Sequence, residues 1–144
     1  MFFSQTAEYA LRAVVFLAQD SAERRTARDI ADAMQIPVDY VSKVMQSLAR
    51  AGLVEAQRGK LGGFRLTRPA HRVTLLEVVN AVDPVRRISS CPLGLRQHSR
   101  TLCPLHRKLD EAVASVEREL LLTSVADLVE MPAAVAAAGV SHAG

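Results

Sequence analysis

The chain has 144 residues, 49% of them hydrophobic, and a net charge of +3 from 18 basic and 15 acidic side chains; that allows one core and excludes two large independent domains. Glu8 and Arg12 interrupt the first apolar stretch, which argues against a secretory leader, and no run reaches the roughly 20 uncharged apolar residues of a bilayer-crossing helix. The expected setting is the cytoplasm, without membrane attachment, where both cysteines stay reduced and are left for packing, metal or redox sensing.

Ser4 precedes Ala7, Leu11, Val14, Val15 and Ala18, the three-and-four spacing of a capped amphipathic helix. Thr26 is an N-cap candidate for a short helix over 27–34, and Pro37 stops it. Asp39 is the expected cap of a third helix carrying Val41, Val44, Met45, Leu48 and Ala49, with Gly52 as the left-handed residue after it. Two short helices joined by Gln35, Ile36 and Pro37 read as a helix-turn-helix, whose second helix enters a major groove.

Residues 53–57 and 64–67 then read as two strands around the glycine-rich turn 58–63, a hairpin wing. Its tip joins the cations Arg58 and Lys60 to glycines that permit close backbone approach to a phosphate or a minor groove. Thr74 opens a helix through Leu75, Leu76, Val78, Val79 and Val82, ending before Pro84. Beyond an aperiodic segment, Leu105, Leu109, Val113, Val116 and Leu120 mark a long charged helix whose apolar seam wants a partner. Thr123 or Ser124 caps a last short helix through Leu128, and an Ala-rich tail after Pro132 lacks core-forming side chains.

The fold class expected is mainly α with a small β-hairpin wing, a winged helix-turn-helix followed by a dimerisation helix. Its divisions are a DNA-binding domain over 1–84, a sensor loop over 85–106, the dimer helix and short terminal helix over 107–131, and a mobile tail over 132–144. No nucleophile, base and orienting group come together in the pattern, so an enzyme is not expected.

The stripe on the third helix leaves Asp39, Tyr40, Ser42, Lys43 and Gln46 as candidate base and phosphate readers; Tyr40 could instead cover the core. Thr26 and Arg28 are phosphate candidates at the start of the second helix. Arg58, Gly59 and Lys60 are the wing candidates. Singly, each charge is also consistent with a solvated face.

The runs Ala51-Gly52-Leu53-Val54, Arg58-Gly59-Lys60-Leu61-Gly62-Gly63-Phe64-Arg65-Leu66 and Val73-Thr74-Leu75-Leu76-Glu77-Val78 resemble the signature of the Rrf2 family of winged-helix regulators. Ser4 to Arg12 is similar to that family's first helix, and the likeness reaches roughly Val129. The resemblance implies a homodimeric transcription regulator of repressor type. Its long helices would cross and place two winged domains on a pseudo-palindromic operator in double-stranded DNA.

Cluster-binding members of the family carry three evenly spaced cysteines before the long helix. Here Cys91 and Cys103 match the outer pair, Gln97 stands at the middle position beside His98, and His106 follows Cys103 by three. The resemblance thus implies an iron–sulfur cluster, of [2Fe–2S] type, held by Cys91, Cys103 and His106, with His98 or Glu8 of the partner subunit as further ligands. The residues themselves leave other readings open. Two thiols and two imidazoles also suit zinc, thiol oxidation needs no metal, inert thiols need neither, and Glu8 with Arg12 makes an ordinary i,i+4 helix pair.

Overall fold

The computed structural model describes residues 3–90 and 102–130. Helix α1 spans Gln5–Gln19 and opens where the Ser4 hydroxyl accepts the Ala7 N–H at 3.1 Å. Its buried face is Ala7, Ala10, Ala13, Val14 and Leu17. Three alanines on that face let neighbouring helices approach closely, and α1 is the central rod of the domain.

Helix α2, Ala27–Met34, starts on a reciprocal cap in which the Thr26 side chain accepts the Asp29 N–H and the Asp29 carboxylate accepts the Thr26 N–H. It ends at Gln35 in the left-handed region, φ 53°. Pro37 stands at the N-cap of α3, Val38–Arg50, rather than acting as the stop of α2. Asp39 is therefore not the cap: it lies in the first turn, where its carboxylate favours the positive end of the helix dipole. Val41, Val44, Met45 and Leu48 are buried as expected, and Gly52 follows with φ 76°.

Strands β1, Val54–Gln57, and β2, Gly63–Leu66, pair antiparallel with Val54 opposite Leu66 and Gln57 opposite Gly63. Against expectation β1 begins one residue later, at Val54, and β2 lies one residue earlier; Thr67 follows the ladder, its N–H donating to Leu53 O and its hydroxyl to Gly52 O. A third segment joins the wing. Arg25 and Phe64 exchange both backbone hydrogen bonds, at 2.9 and 2.7 Å, so the hairpin is riveted to the connection between α1 and α2.

A 3-10 turn over Ala70–Arg72 leads to α4, Leu75–Val82, capped reciprocally by Thr74 and Glu77. Burial pushes the Glu77 carboxyl up, but hydrogen bonds from the Thr74 N–H and Arg68 outweigh it and hold the group below its ordinary range. Helix α5 spans Pro104–Leu122 and α6 spans Val125–Val129, the latter capped by Ser124. The Val125 N–H to Val73 O bond, 2.8 Å, and the Leu75 N–H to Thr123 O bond, 2.9 Å, stitch the α5–α6 junction to the start of α4.

The core collects Leu17, Ile30, Val41, Val44, Met45, Leu48, Val78 and Val125, all but sealed from solvent; each such side chain stabilises by about 1.5–3 kcal/mol. The seam expected on α5 divides. Leu120 is buried and Val116 packs on the core, while Leu105 and Leu109 are 62% and 47% exposed. Among the described residues no helix is long and apolar enough to cross a membrane.

Candidate nucleic-acid interface and thiol centre

With Val41, Val44, Met45 and Leu48 turned inward, α3 presents Asp39, Tyr40, Lys43 and Gln46 to solvent. Ser42 is only half exposed, and its hydroxyl donates back to Val38 O at 3.3 Å. Tyr40 does not cover the core. It is 45% exposed and stands edge-on to Tyr9 of α1, ring centroids 5.7 Å apart.

That contact extends the surface onto α1. Gln5 Nε2 donates to the Tyr9 hydroxyl at 2.8 Å, the Arg12 guanidinium lies 5.8 Å from the Tyr9 ring centroid, and Arg12 pairs with Glu8 at 2.6 Å. Gln5, Tyr9 and Arg12 are interface candidates that sequence reasoning missed. The signal was available, since Gln5 and Tyr9, like Glu8 and Arg12, are four apart on the polar side of α1.

At the start of α2 both Thr26 and Arg28 are exposed. The Thr26 N–H and hydroxyl are occupied by Asp29, whose carboxyl is held below its ordinary value first by the Thr26 backbone and then by its side chain. Arg28 thus carries the cationic character of that turn.

The wing tip runs from Arg58 to Gly62, with Arg58, Gly59 and Lys60 exposed. Gly59 has φ 104° and its carbonyl accepts the Gly62 N–H at 2.9 Å. Below the tip, Glu55 joins two arginines: it faces Arg65 across the ladder, hydrogen-bonded to its Nε, and accepts from Arg24 Nη2 at 2.9 Å. Arg65 chiefly, and Arg24 after it, keep the Glu55 carboxyl below its ordinary range against the cost of desolvation.

The second centre lies at the start of α5. Cys103 occupies its N-cap with Pro104 opening the helix, yet the sulfur caps no backbone N–H. Instead Cys103 Sγ lies 3.0 Å from His106 Nδ1, and His106 is buried. Cys91 and His98, with the other residues of 91–101 and the tail over 131–144, lie outside the described residues. Among the described residues no three histidine, cysteine or acidic side chains converge as a metal site; Cys103 and His106 supply two donors, and Glu8 is engaged with Arg12.

The segment leading toward this centre is clasped to α5. Arg87 gives two hydrogen bonds to Asp110, and the Ile88 N–H donates a third at 2.8 Å. The Arg87 guanidinium and then the Ile88 N–H lower the Asp110 pKa to about 2. The Arg87 charge is thereby neutralised locally.

The structure is similar to that of CymR, described as the global cysteine regulator of B. subtilis. The two share 21% identity over 92% of this chain and 98% of that one, with a TM-score of 0.74. It is similar as well to T. potens IscR, at 19% identity over 90% and 87% of the two chains and a TM-score of 0.74. An oxidized form of Staphylococcus aureus CymR matches at 22% identity over 92% and 98%, TM-score 0.71. At these identities the likeness establishes the winged-helix fold. The family model described as "Iron-dependent Transcriptional regulator" matches residues 3–131, and the chain accordingly belongs to the Rrf2 family of transcriptional regulators.

Proposed function

We propose that this regulator is a cytoplasmic homodimer that reads a pseudo-palindromic site in double-stranded DNA, acts as a repressor there, and changes its DNA affinity through chemistry at Cys91, Cys103 and His106. The observation that carries the reading part is the solvent-facing set Lys43, Gln46, Arg58 and Lys60, on the exposed side of α3 and on the wing that follows it. Gln46 and Lys43 have the donors and acceptors for base edges, and Arg28, Arg58, Gly59 and Lys60 suit phosphate and groove contacts. Thr26, Asp39, Tyr40 and Ser42 complete the reading surface.

Dimerisation is supported by Leu105 and Leu109, exposed on one side of α5 at four-residue spacing. The divisions at 1–84, 85–106, 107–131 and 132–144 then serve as reading head, sensor, dimer helix and tail. The sensor's position suits its role, because a segment between head and dimer helix sets the separation of two recognition helices.

The Cys103–His106 pair fits an iron–sulfur cluster of [2Fe–2S] type, which would take a thiolate and an imidazole from α5 and a thiolate from Cys91, with His98 or the partner subunit's Glu8 completing the set. Such a cluster supplies a one-electron redox change, and histidine ligation raises its potential. Zinc or thiol oxidation alone is the second reading, supported by the 3.0 Å approach of the Cys103 sulfur to the His106 imidazole and by the cysteine regulator among the structural relatives.

The test joins two measurements on anaerobically purified protein: iron, zinc and sulfide content with the visible spectrum, and anisotropy of a labelled duplex from upstream of its own gene across a salt series. Salt-dependent, sequence-preferring binding that shifts on oxidation in wild type and not in Cys103→Ala supports the proposal. No duplex preference at any salt overturns the regulator reading. Colourless, metal-free protein with unchanged binding in Cys91→Ala and Cys103→Ala overturns the sensor.

A further inference from the structure

We propose that Leu61 is an apolar wedge which the wing inserts into the minor groove of bound DNA, beside the cations Arg58 and Lys60, so that the wing selects a base step that unstacks easily. The inference rests on the DNA-reading function above and adds a residue and a selectivity to it.

Leu61 is 86% exposed, the highest value among the large hydrophobic side chains of the described residues. Isolated surface leucines are ordinary; what distinguishes this one is its place and its neighbours. It sits at the apex of a turn that does not need it, since the hydrogen bond from the Gly62 N–H to Gly59 O closes the turn and the backbone supplies both partners. A side chain at Gly62 would place its Cβ 2.3 Å from Gln57 O, and Gly59 takes a φ of 104°. Lys60 and Leu61 are thus the two side chains of a turn bracketed by Gly59 and Gly62, a slender tip that suits a groove about 6 Å wide.

The hairpin is also anchored. The Arg25–Phe64 backbone pair and the Arg24–Glu55–Arg65 bridge fasten its base to the domain, while Leu61, at the edge of a shallow hollow beside Ala22 and Glu23, stays open to solvent. The occupant follows from charge. Arg58 and Lys60 precede Leu61, and no acid occurs from Ala56 to Thr67, which fits a polyanion. An apolar side chain carried beside cations into the minor groove wedges a base step apart and bends the duplex, and pyrimidine–purine steps (TA, CA/TG) yield most readily.

The experiment uses full-length wild type, Leu61→Ala, Leu61→Met and Lys60→Ala on duplexes of about 30 bp enriched by wild type from a random library. A 2-aminopurine replaces adenine at the flexible step of the wing-facing flank. Wild type and Leu61→Met raise 2-aminopurine fluorescence on binding. Leu61→Ala abolishes the rise, binds about tenfold more weakly, tolerates replacement of the flexible step, and keeps the wild-type salt slope. Lys60→Ala instead lowers that slope by about one and keeps the fluorescence rise. Thermal melting identical to wild type confirms that the exposed substitution leaves the fold intact. If Leu61→Ala retains both the fluorescence change and the step preference, the wedge is overturned while the interface stands. Wild type that enriches no duplex overturns the interface and the wedge together.

Discussion

Arg87 and Asp110 meet as a two-pronged ion pair, Nε to Oδ1 at 2.8 Å and Nη2 to Oδ2 at 2.6 Å, across 23 positions of sequence. The clasp fixes the segment after α4 against α5 one turn beyond His106, and planar, two-bond geometry makes it more than a chance surface pair.

The pH dependence of this clasp has a definite sign. Asp110 titrates near 2 in the folded protein against an ordinary 3.8, so its contribution is fully present above 3.8 and is lost as pH falls toward 2. Urea midpoints measured through that window fall for wild type and fall less steeply for Asp110→Asn, which has no carboxyl to protonate. Equal slopes in the two proteins would show that the pair does not report on folding.

Gly63 tests the wing's attachment. At φ 133° an added Cβ would lie 2.7 Å from Arg25 O and 2.8 Å from Arg25 C, and backbone on both sides has nowhere to move. Gly63→Ala is expected to lose roughly 2–3 kcal/mol, strain and a broken Arg25–Phe64 pairing together. Gly52 has φ 76° and open space around it, so Gly52→Ala bears backbone strain alone, about 1 kcal/mol. Chemical denaturation of the two variants side by side reads the difference.

Much of this fold was legible because local and tertiary signals agree. Ser4, Thr26, Thr74 and Ser124 each cap the helix they precede, and the α3 stripe is the buried face. Asp39 misled because a carboxylate in the first turn and one at the N-cap look alike in sequence; Pro37 took the cap position. The contact of Tyr40 with Tyr9, the third strand-like pairing at Arg25 and the partnership of Arg87 with Asp110 all join residues distant in sequence, where no periodicity reaches. The thiol–imidazole pair was legible as spacing, three residues on one helix face, although its sulfur bonds to His106 rather than capping α5.

Base reading and backbone contact separate by substitution. Gln46 is exposed on the α3 face away from the buried stripe, and Gln46→Ala is expected to relax discrimination at one base pair by about 1–3 kcal/mol. Arg28→Ala, which removes a cation from the first turn of α2, is expected to weaken every duplex alike and to reduce the salt slope by about one. Competition binding with single-base-substituted duplexes distinguishes the two patterns, and a uniform loss in Gln46→Ala would remove it from base reading.

The two halves of the α5 seam should respond in opposite ways. Leu120 is buried against the single-chain core, so Leu120→Ala lowers unfolding stability by roughly 2–5 kcal/mol and leaves association unchanged at concentrations where the chain remains folded. Leu105 and Leu109 face solvent in the single chain, and a charge placed there costs that chain little, within about 0.5 kcal/mol. Between two copies the same charge would be buried without a partner, which is prohibitive. If the proposed dimer forms through this face, Leu105→Glu with Leu109→Glu is expected to sediment as a monomer and wild type as a dimer, and the double variant to lose affinity for a two-half-site duplex far more than for a single half-site. A double variant that still sediments with wild type would move the dimer contact off this face of α5.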